Sequence, residues 1–249
     1  MIRLIFGNVG SGKTASVVRY MKQHPEKNFI TNIDVKGKNF KHVIKLEGDM
    51  ILKKTLVRTK KTGEEVFKLS VNIDFWKQLL TKYKTMNVII DEAHIFFNPR
   101  RSMSKINVLM TDFLALLRRV LGSVEGTGEL ILITQLSRRL DIIAKEMSTD
   151  IQFCVHHYTT KCRKCNSMWG ETNETSLKYY QCPRCNSQRI ERIRSEIEIY
   201  KFKNIEKFMD FHNFHVKTYY SRYFITDIEK IFGSYDTLQF DDLLSKFYT

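Results

Sequence analysis

The stretch Gly7-Asn8-Val9-Gly10-Ser11-Gly12-Lys13-Thr14 follows the apolar run Leu4-Ile5-Phe6 and opens an amphipathic segment from Ala15 to His24. It is a complete G-x-x-x-x-G-K-T in a strand, loop, helix setting, which is the sequence of a phosphate-binding loop. The spelling has a physical reason. Glycines let successive backbone N–H groups turn inward around a phosphate chain, and the helix that follows points its positive dipole end at the same place. Lys13 is expected to reach the β- and γ-phosphates of a nucleotide and Thr14 to hold Mg²⁺, with Gly7, Asn8, Val9, Gly10, Ser11 and Gly12 as the cradle. An ordinary glycine-rich turn has no reason to match every fixed position, so the chain reads as nucleotide-binding.

The chain has 249 residues, 43% of them hydrophobic, enough for one α/β core with a small appendage, and a phosphate-binding loop starting at residue 7 places the start of that core at the first strand. A formal net charge of +14 favours an anionic partner, and nucleic acid is the commonest for a basic protein. No stretch approaches the roughly 18 uninterrupted apolar residues of a membrane span, so the expectation is a protein of the cytoplasm. Five cysteines, four in two C-x-x-C pairs, suit metal binding in a reducing compartment better than disulfides.

Beyond the first helix, Phe29-Ile30-Thr31 and Val43-Ile44-Lys45-Leu46 read as strands. Thr55-Leu56-Val57 and Val66-Phe67-Lys68-Leu69 flank the turn Lys61-Thr62-Gly63 as an inserted hairpin. Ile73 to Tyr83 has helical spacing and leads to Val88-Ile89-Ile90, an apolar run of the kind buried on both faces of a parallel sheet. That run passes directly into Asp91-Glu92-Ala93-His94. Asp91, at the tip of a buried strand, is placed to stand behind the Mg²⁺ held by Thr14. Glu92 is expected to polarise the attacking water as general base. A long helix with Ile106, Leu109, Met110, Phe113, Leu114, Leu117, Val120 and Leu121 on one face ends near Arg118 and Arg119, and a loop with Gly122, Gly126 and Gly128 follows. The next strand, Leu130-Ile131-Leu132-Ile133, stops at Thr134-Gln135, where Gln135 could sense a γ-phosphate.

Ile151-Gln152-Phe153-Cys154-Val155 reads as a fifth core strand, after which come Cys162-Arg163-Lys164-Cys165 and, sixteen residues on, Cys182-Pro183-Arg184-Cys185. Two such knuckles supply the four thiolates of tetrahedral Zn²⁺, and four protein ligands close the shell, so Cys162, Cys165, Cys182 and Cys185 predict a structural site. His156 and His157 are the possible substitute ligands. The segment from Arg189 to Tyr200 alternates as a strand returning to the sheet, which makes the cysteine module an insertion between two strands. Between Thr160 and Lys203 there are ten Lys or Arg against five Asp or Glu, interleaved with Trp169, Tyr179 and Tyr180. That mixture suits phosphate contact and base stacking, though a zinc-stapled lid or subunit contact would use the same residues. In the tail, Ile205 to Phe214 and Asp236 to Phe247 look helical, and no chemistry is assigned there.

Gly7 to Thr14, Ile89-Ile90-Asp91-Glu92-Ala93-His94, Phe113-Leu114-Ala115-Leu116-Leu117-Arg118-Arg119 and Leu132-Ile133-Thr134-Gln135 together resemble the Zot-like P-loop ATPases, relatives of FtsK, HerA and viral genome-packaging motors. Gly233-Ser234-Tyr235-Asp236-Thr237 is similar to the Tyr-Asp-Thr that follows the core in that family. The resemblance covers residues 1 to about 157 well and the tail weakly. It implies a RecA-like ATPase with a mainly parallel sheet flanked by helices, binding ATP with Mg²⁺, working as a homo-oligomeric ring, a hexamer or pentamer, and moving DNA. Gln135 would be the sensor after the fourth core strand. Such rings complete each site with an arginine finger from a neighbour; Arg118, Arg119, Arg138 and Arg139 are candidates, and Arg119 is taken first. The chain departs from filamentous-phage members in lacking their membrane span and in carrying the cysteine module, which leaves DNA packaging or transfer in the cytoplasm.

Two rivals fit less well. Asp91-Glu92-Ala93-His94 spells the motif of DEAH helicases, but those need two RecA-like lobes and a far arginine-rich motif. A small nucleotide kinase accounts for the phosphate loop but not for the Asp-Glu pair, the charge or the cysteines. The expected organisation is residues 1–157 as ATPase core, 158–188 as zinc-ribbon insertion, and 189–249 as return strand and helical tail. The expected function is an ATP-hydrolysing motor, viral or from a mobile element, that translocates or packages DNA. The alternative is a nucleotide-regulated binding or virion-assembly protein that moves nothing.

Overall fold

The computed structural model describes residues 1–59, 65–83, 85–97, 105–121, 128–135, 142–173 and 181–236. The turn at Lys61-Thr62-Gly63, Gly122, Gly126, Arg138, Arg139, Tyr179, Tyr180 and the tail helix expected from Asp236 onward, all but its first residue, lie outside the described residues.

Strands β1 (Ile2–Phe6), β2 (Asn28–Thr31), β3 (Val43–Lys45), β6 (Met86–Ile90) and β7 (Leu130–Thr134) are parallel to one another. So is the first part of β8 (Asp150–Cys162), which lies beside β1. On its other edge β8 pairs antiparallel with β10 (Ile190–Phe202), and β10 pairs with β11 (Ser221–Ile225). The order is β11-β10-β8-β1-β7-β6-β2-β3, with β9 (Met168–Thr172) antiparallel to β8 off this path. The hairpin of β4 (Leu52–Thr59) and β5 (Glu65–Val71) stands apart as a two-stranded sheet.

The apolar runs of β1, β6 and β7 are buried because helices cover both faces, and alternate residues divide between two layers. Leu4, Phe6, Val88, Ile90, Leu130 and Leu132 belong to one cluster, with Trp76 of α3 (Ile73–Lys82), Phe113 and Leu117 of α4 (Lys105–Leu121) and Phe208 of α6 (Ile205–Phe214). Ile5, Ile89, Ile131 and Ile133 belong to the other, with Val17, Val18 and Met21 of α1 (Lys13–Gln23). Leu117 is fully buried, so truncating it to alanine should cost roughly 2–5 kcal/mol. Two further short helices, α2 (Gly48–Ile51) and α5 (Ile142–Glu146), join these layers. After β11 the chain forms α7 (Glu229–Phe232), whose Ile228 and Ile231 flank sinks into the α1 layer, and then makes a bridge from Tyr235 to Val35 beyond β2.

In this topology every parallel strand ends at the same edge of the sheet. Gly7, Asn32, Asp91, Gln135 and Cys154 therefore converge from five different parts of the sequence. The cysteine knuckles lie farther along, because β8 continues past that edge and β10 returns beside it. Among the described residues no helix is long and apolar enough to cross a membrane.

Candidate nucleotide site and metal centre

The phosphate-binding loop leaves β1 with no room for a side chain at Gly7 or Gly12. A Cβ on Gly7 would lie 2.3 Å from Ser11 Oγ and 2.7 Å from the Cys154 carbonyl oxygen. Gly12 has φ +84°, and a Cβ there would meet Ile197 Cδ1 at 2.3 Å. Lys13 then starts α1 with its side chain turned back into the loop, its Nζ donating to Gly7 O at 2.8 Å and Asn8 O at 2.9 Å. Burial lowers the pKa of this ammonium, and the nearby Asp91, Cys154 and Glu92 partly oppose that.

Thr14 Oγ1 donates to Asp91 Oδ2 at 2.7 Å, which joins α1 to the tip of β6. The other oxygen of Asp91 accepts from the Glu92 N–H at 2.8 Å. Asn32, just past β2, grips the same backbone from the side: its Oδ1 accepts from Asp91 N at 2.7 Å and its Nδ2 donates to Asp91 O at 3.0 Å. Burial raises the Asp91 pKa, with Glu92 adding to the effect and the Thr14 hydroxyl opposing it. Such an oxygen set, a hydroxyl and a desolvated carboxylate in contact, fits a hard divalent cation.

Glu92 has φ 51° and ψ 41°, a left-handed conformation that costs a non-glycine residue about 1 kcal/mol or more and is kept where function needs it. This backbone aims its carboxylate across the cleft, where Gln135 Nε2 donates to Oε1 at 2.9 Å. His94 Nδ1 lies 3.1 Å from Oε2. Burial pushes the Glu92 pKa up, but the His94 and Gln135 contacts and the Lys13 charge outweigh it and the net shift is downward. Adjacent carboxylates are thus driven in opposite directions, the usual mark of divided roles. Arg118 and Arg119 are exposed at the last turn of α4, where the chain is about to enter β7 from its far end. They lie at the opposite end of the sheet from Asp91, so neither belongs to this chain's own cleft.

On the other side of β1 the loop is held by the β8 ribbon. His156 Nδ1 lies 3.1 Å from Gly10 O and Asn173 Nδ2 donates to Val9 O at 3.3 Å, while Asn173 Oδ1 accepts from His156 N. His156 Nε2 contacts Ser195 Oγ, and burial lowers its pKa, with the Gly10 carbonyl opposing. His157 Nε2 lies 2.7 Å from Glu198 Oε2. Neither histidine is a ligand of the cysteine cluster, as the substitute role required; both are engaged elsewhere. The whole cleft has a volume of about 480 Å³ and is also lined by Tyr158, Phe232, Tyr235 and Asp236.

The four sulfurs of Cys162, Cys165, Cys182 and Cys185 lie within 4.8 Å of one another. Cys162–Cys185 and Cys165–Cys182 are 3.7 and 3.6 Å apart, against the roughly 3.8 Å that a tetrahedron of ~2.3 Å Zn–S bonds requires. The two knuckles share the spelling Cys-x-x-Cys-Asn-Ser and fold alike. Asn166 and Asn186 have φ 59° and 53°, and their N–H groups donate to the carbonyls of Cys162 and Cys182, both at 2.9 Å. The N–H groups of Lys164 and Arg184 point at the Cys162 and Cys182 sulfurs at 3.3 and 3.4 Å, which favours thiolates. The residues present fit Zn²⁺.

A family profile described as Zonular occludens toxin (Zot) matches residues 1–203. The chain belongs to the Zot family. No curated protein sequence matches it. Among solved structures, the N-terminal domain of zonular occludens toxin from Neisseria meningitidis is 18% identical with a TM-score of 0.50, covering 94% of this chain and 98% of that one. The genome packaging NTPase B204 from Sulfolobus turreted icosahedral virus 2, in complex with sulfate, is 16% identical with a TM-score of 0.38, over 82% of this chain and 92% of that one. At such identities the Neisseria domain speaks for the fold, a mainly parallel α/β sheet of the P-loop NTPase kind.

For this Zot-family chain, then, the cleft gathers the phosphate loop, Asp91, Glu92 and Gln135 as the sequence motifs suggest. Its lining also includes Asn32 and Phe232, to which sequence reasoning assigns no role, His156, read there only as a substitute metal ligand, and Tyr235, noted there only as a family match, while Asn173 holds the loop at Val9. The repeated Asn-Ser after each cysteine pair and the Tyr235-Asp236 match in the tail were the available signals; Asn32 and Asn173 offered none, because their partners are distant backbone atoms.

Proposed function

We propose that this chain is an ATPase that uses hydrolysis to translocate or package DNA, as a homo-oligomeric ring in the cytoplasm. The observation that carries the enzymatic part is the unbroken chain from Thr14 to Asp91 to Glu92 to Gln135 beside Lys13. In this reading Lys13 leaves the loop carbonyls for the β- and γ-phosphates, and the loop N–H groups take the remaining phosphate oxygens. Thr14 and Asp91 would hold Mg²⁺, which supplies charge neutralisation on the phosphates. Glu92, held ionised, accepts the proton of the attacking water. Gln135 positions that carboxylate and, lying between it and the phosphates, acts as sensor. Arg119 serves a neighbouring subunit, since it faces away from its own cleft. Cys162, Cys165, Cys182 and Cys185 would hold Zn²⁺, a staple rather than a catalyst. Residues 1–157 are then the motor core, 158–188 the zinc ribbon, and 189–249 the return strand and tail.

The DNA part rests on the net charge of +14, on family resemblance and on the basic surface of the ribbon, where Arg163, Lys164, Arg184 and Arg189 are exposed. The test is ATP turnover by the full chain with and without duplex DNA, at increasing salt. Stimulation that fades as salt rises is expected. Turnover indifferent to DNA at every salt concentration would overturn translocation and leave a nucleotide-regulated assembly protein.

A further inference from the structure

The cleft has two ends, and the chemistry above occupies one. Asp91 ends β6, two strands to one side of β1, so Asp91, Glu92 and Gln135 mark where the terminal phosphate lies. A nucleotide laid along the loop must carry its nucleoside the other way. Across β1, on β8, the wall changes character. Tyr158 and His156 stand with ring centroids 4.1 Å apart, Phe232 lies 6.1 Å from His156, and the Arg192 guanidinium sits 4.0 Å over the Tyr158 ring.

Phe232 is the unusual member of this group. Its neighbours Ile228 and Ile231 are buried at 0% and 5% exposure, and the following turn is tied down by Ser234 N donating to Ile231 O and Lys36 N donating to Ser234 O. The backbone on both sides is therefore fixed, yet the Phe232 ring is 40% exposed at the cleft. Core packing does not account for an aromatic ring held rigidly at the mouth of a polar cleft; a flat ligand face does.

We propose that Phe232 is the base platform of the nucleotide site, stacking on the nucleobase while Tyr158 and His156 close the side of the subsite. The assignment rests on the nucleotide-binding reading above and adds a residue beyond those matched by the family profile. Stacking accepts any base, so the platform supplies affinity for nucleosides over bare phosphate chains rather than a strong preference among bases.

The test separates nucleoside from phosphate. Binding of ATP and of inorganic tripolyphosphate, each with Mg²⁺, is measured on the full chain and on Phe232→Ala, Phe232→Trp and Lys13→Ala. The unaltered chain should hold ATP more tightly than tripolyphosphate. Phe232→Ala should weaken ATP about tenfold while tripolyphosphate stays within about twofold, and Phe232→Trp should keep ATP affinity. Equal weakening of both ligands in Phe232→Ala, no weakening of either, or an unaltered chain that prefers tripolyphosphate would overturn the platform. If Lys13→Ala binds both ligands undiminished, the phosphate-loop reading itself fails, and the platform with it.

Discussion

The two ends of β8 solve the same problem, holding a charged cluster in fixed geometry, by opposite means. At the cysteine end the contacts are local: each knuckle closes on itself within five residues, from Cys162 to Ser167 and from Cys182 to Ser187. At the phosphate-loop end they are long-range, reaching from Thr14 to Asp91, from Gly10 to His156 and from Val9 to Asn173. In the proposed Zn²⁺ site, local closure leaves four thiolates together and the metal would offset their charge. Long-range closure needs the rest of the fold, and the fold supplies it.

The comparison can be broken most severely at Glu92. Glu92→Gln keeps the Gln135 side of the cleft hydrogen-bonded but removes the proposed base, so turnover should fall by about 10²–10⁴ while ATP still binds, read as phosphate release beside equilibrium binding. Normal turnover would move the base elsewhere. Next in size is Cys182→Ser. Elemental analysis should find about one zinc in the unaltered chain and none in the variant, while the parallel sheet keeps its far-ultraviolet signature because its cores do not depend on the knuckles. Loss of the whole fold would show that the metal end supports the phosphate end after all.

A third probe uses pH. The buried Asp91 carboxylate has its folded pKa raised above the ordinary value of about 4, so this group favours the fold below that value and the contribution is lost as pH rises through the folded pKa. Asp91→Asn should therefore raise the melting temperature near pH 7.5, by the equivalent of about 1 kcal/mol, and the gain should shrink toward pH 4; it should also abolish hydrolysis. A variant melting lower at pH 7.5 would contradict the burial cost. The mildest probe is Asn173→Ala, which frees one loop carbonyl and should weaken ATP by about two- to fivefold, measured by titration. No change would mean the ribbon merely lies beside the loop.

How far these features were readable depended on whether their logic was local. Gly7 to Thr14, the passage of Val88-Ile89-Ile90 into Asp91-Glu92, and the paired cysteines are patterns of adjacent residues, and the alternation of Leu130 to Ile133 between two layers follows from strand geometry alone. The fifth strand was visible only through Val155 because His156-His157-Tyr158-Thr159-Thr160-Lys161 has no apolar period; it stays a strand since β9 and β10 pair with it from both edges. β11 escaped notice for a related reason, its Arg222-Tyr223-Phe224 being an exposed edge. Asn32, Asn173 and Phe232 act through partners far away in sequence, and no spacing rule could find them.

β8 runs thirteen residues without a break from Asp150 to Cys162, about 40 Å at the usual strand rise, with β10 hydrogen-bonded along it. A paired ribbon of that length is a beam more than a joint: apart from the bulge between Arg192 and Arg194 of β10, it resists bending and gives the cysteine module little room to swing. Anything that seizes the knuckles pulls on the strand bearing His156, and hence on Gly10. We predict that the separation between a probe on α1 and one beside the knuckles keeps one narrow distribution when ATP is added, in pulsed electron-spin distance measurements. Two separated populations would reveal a hinge.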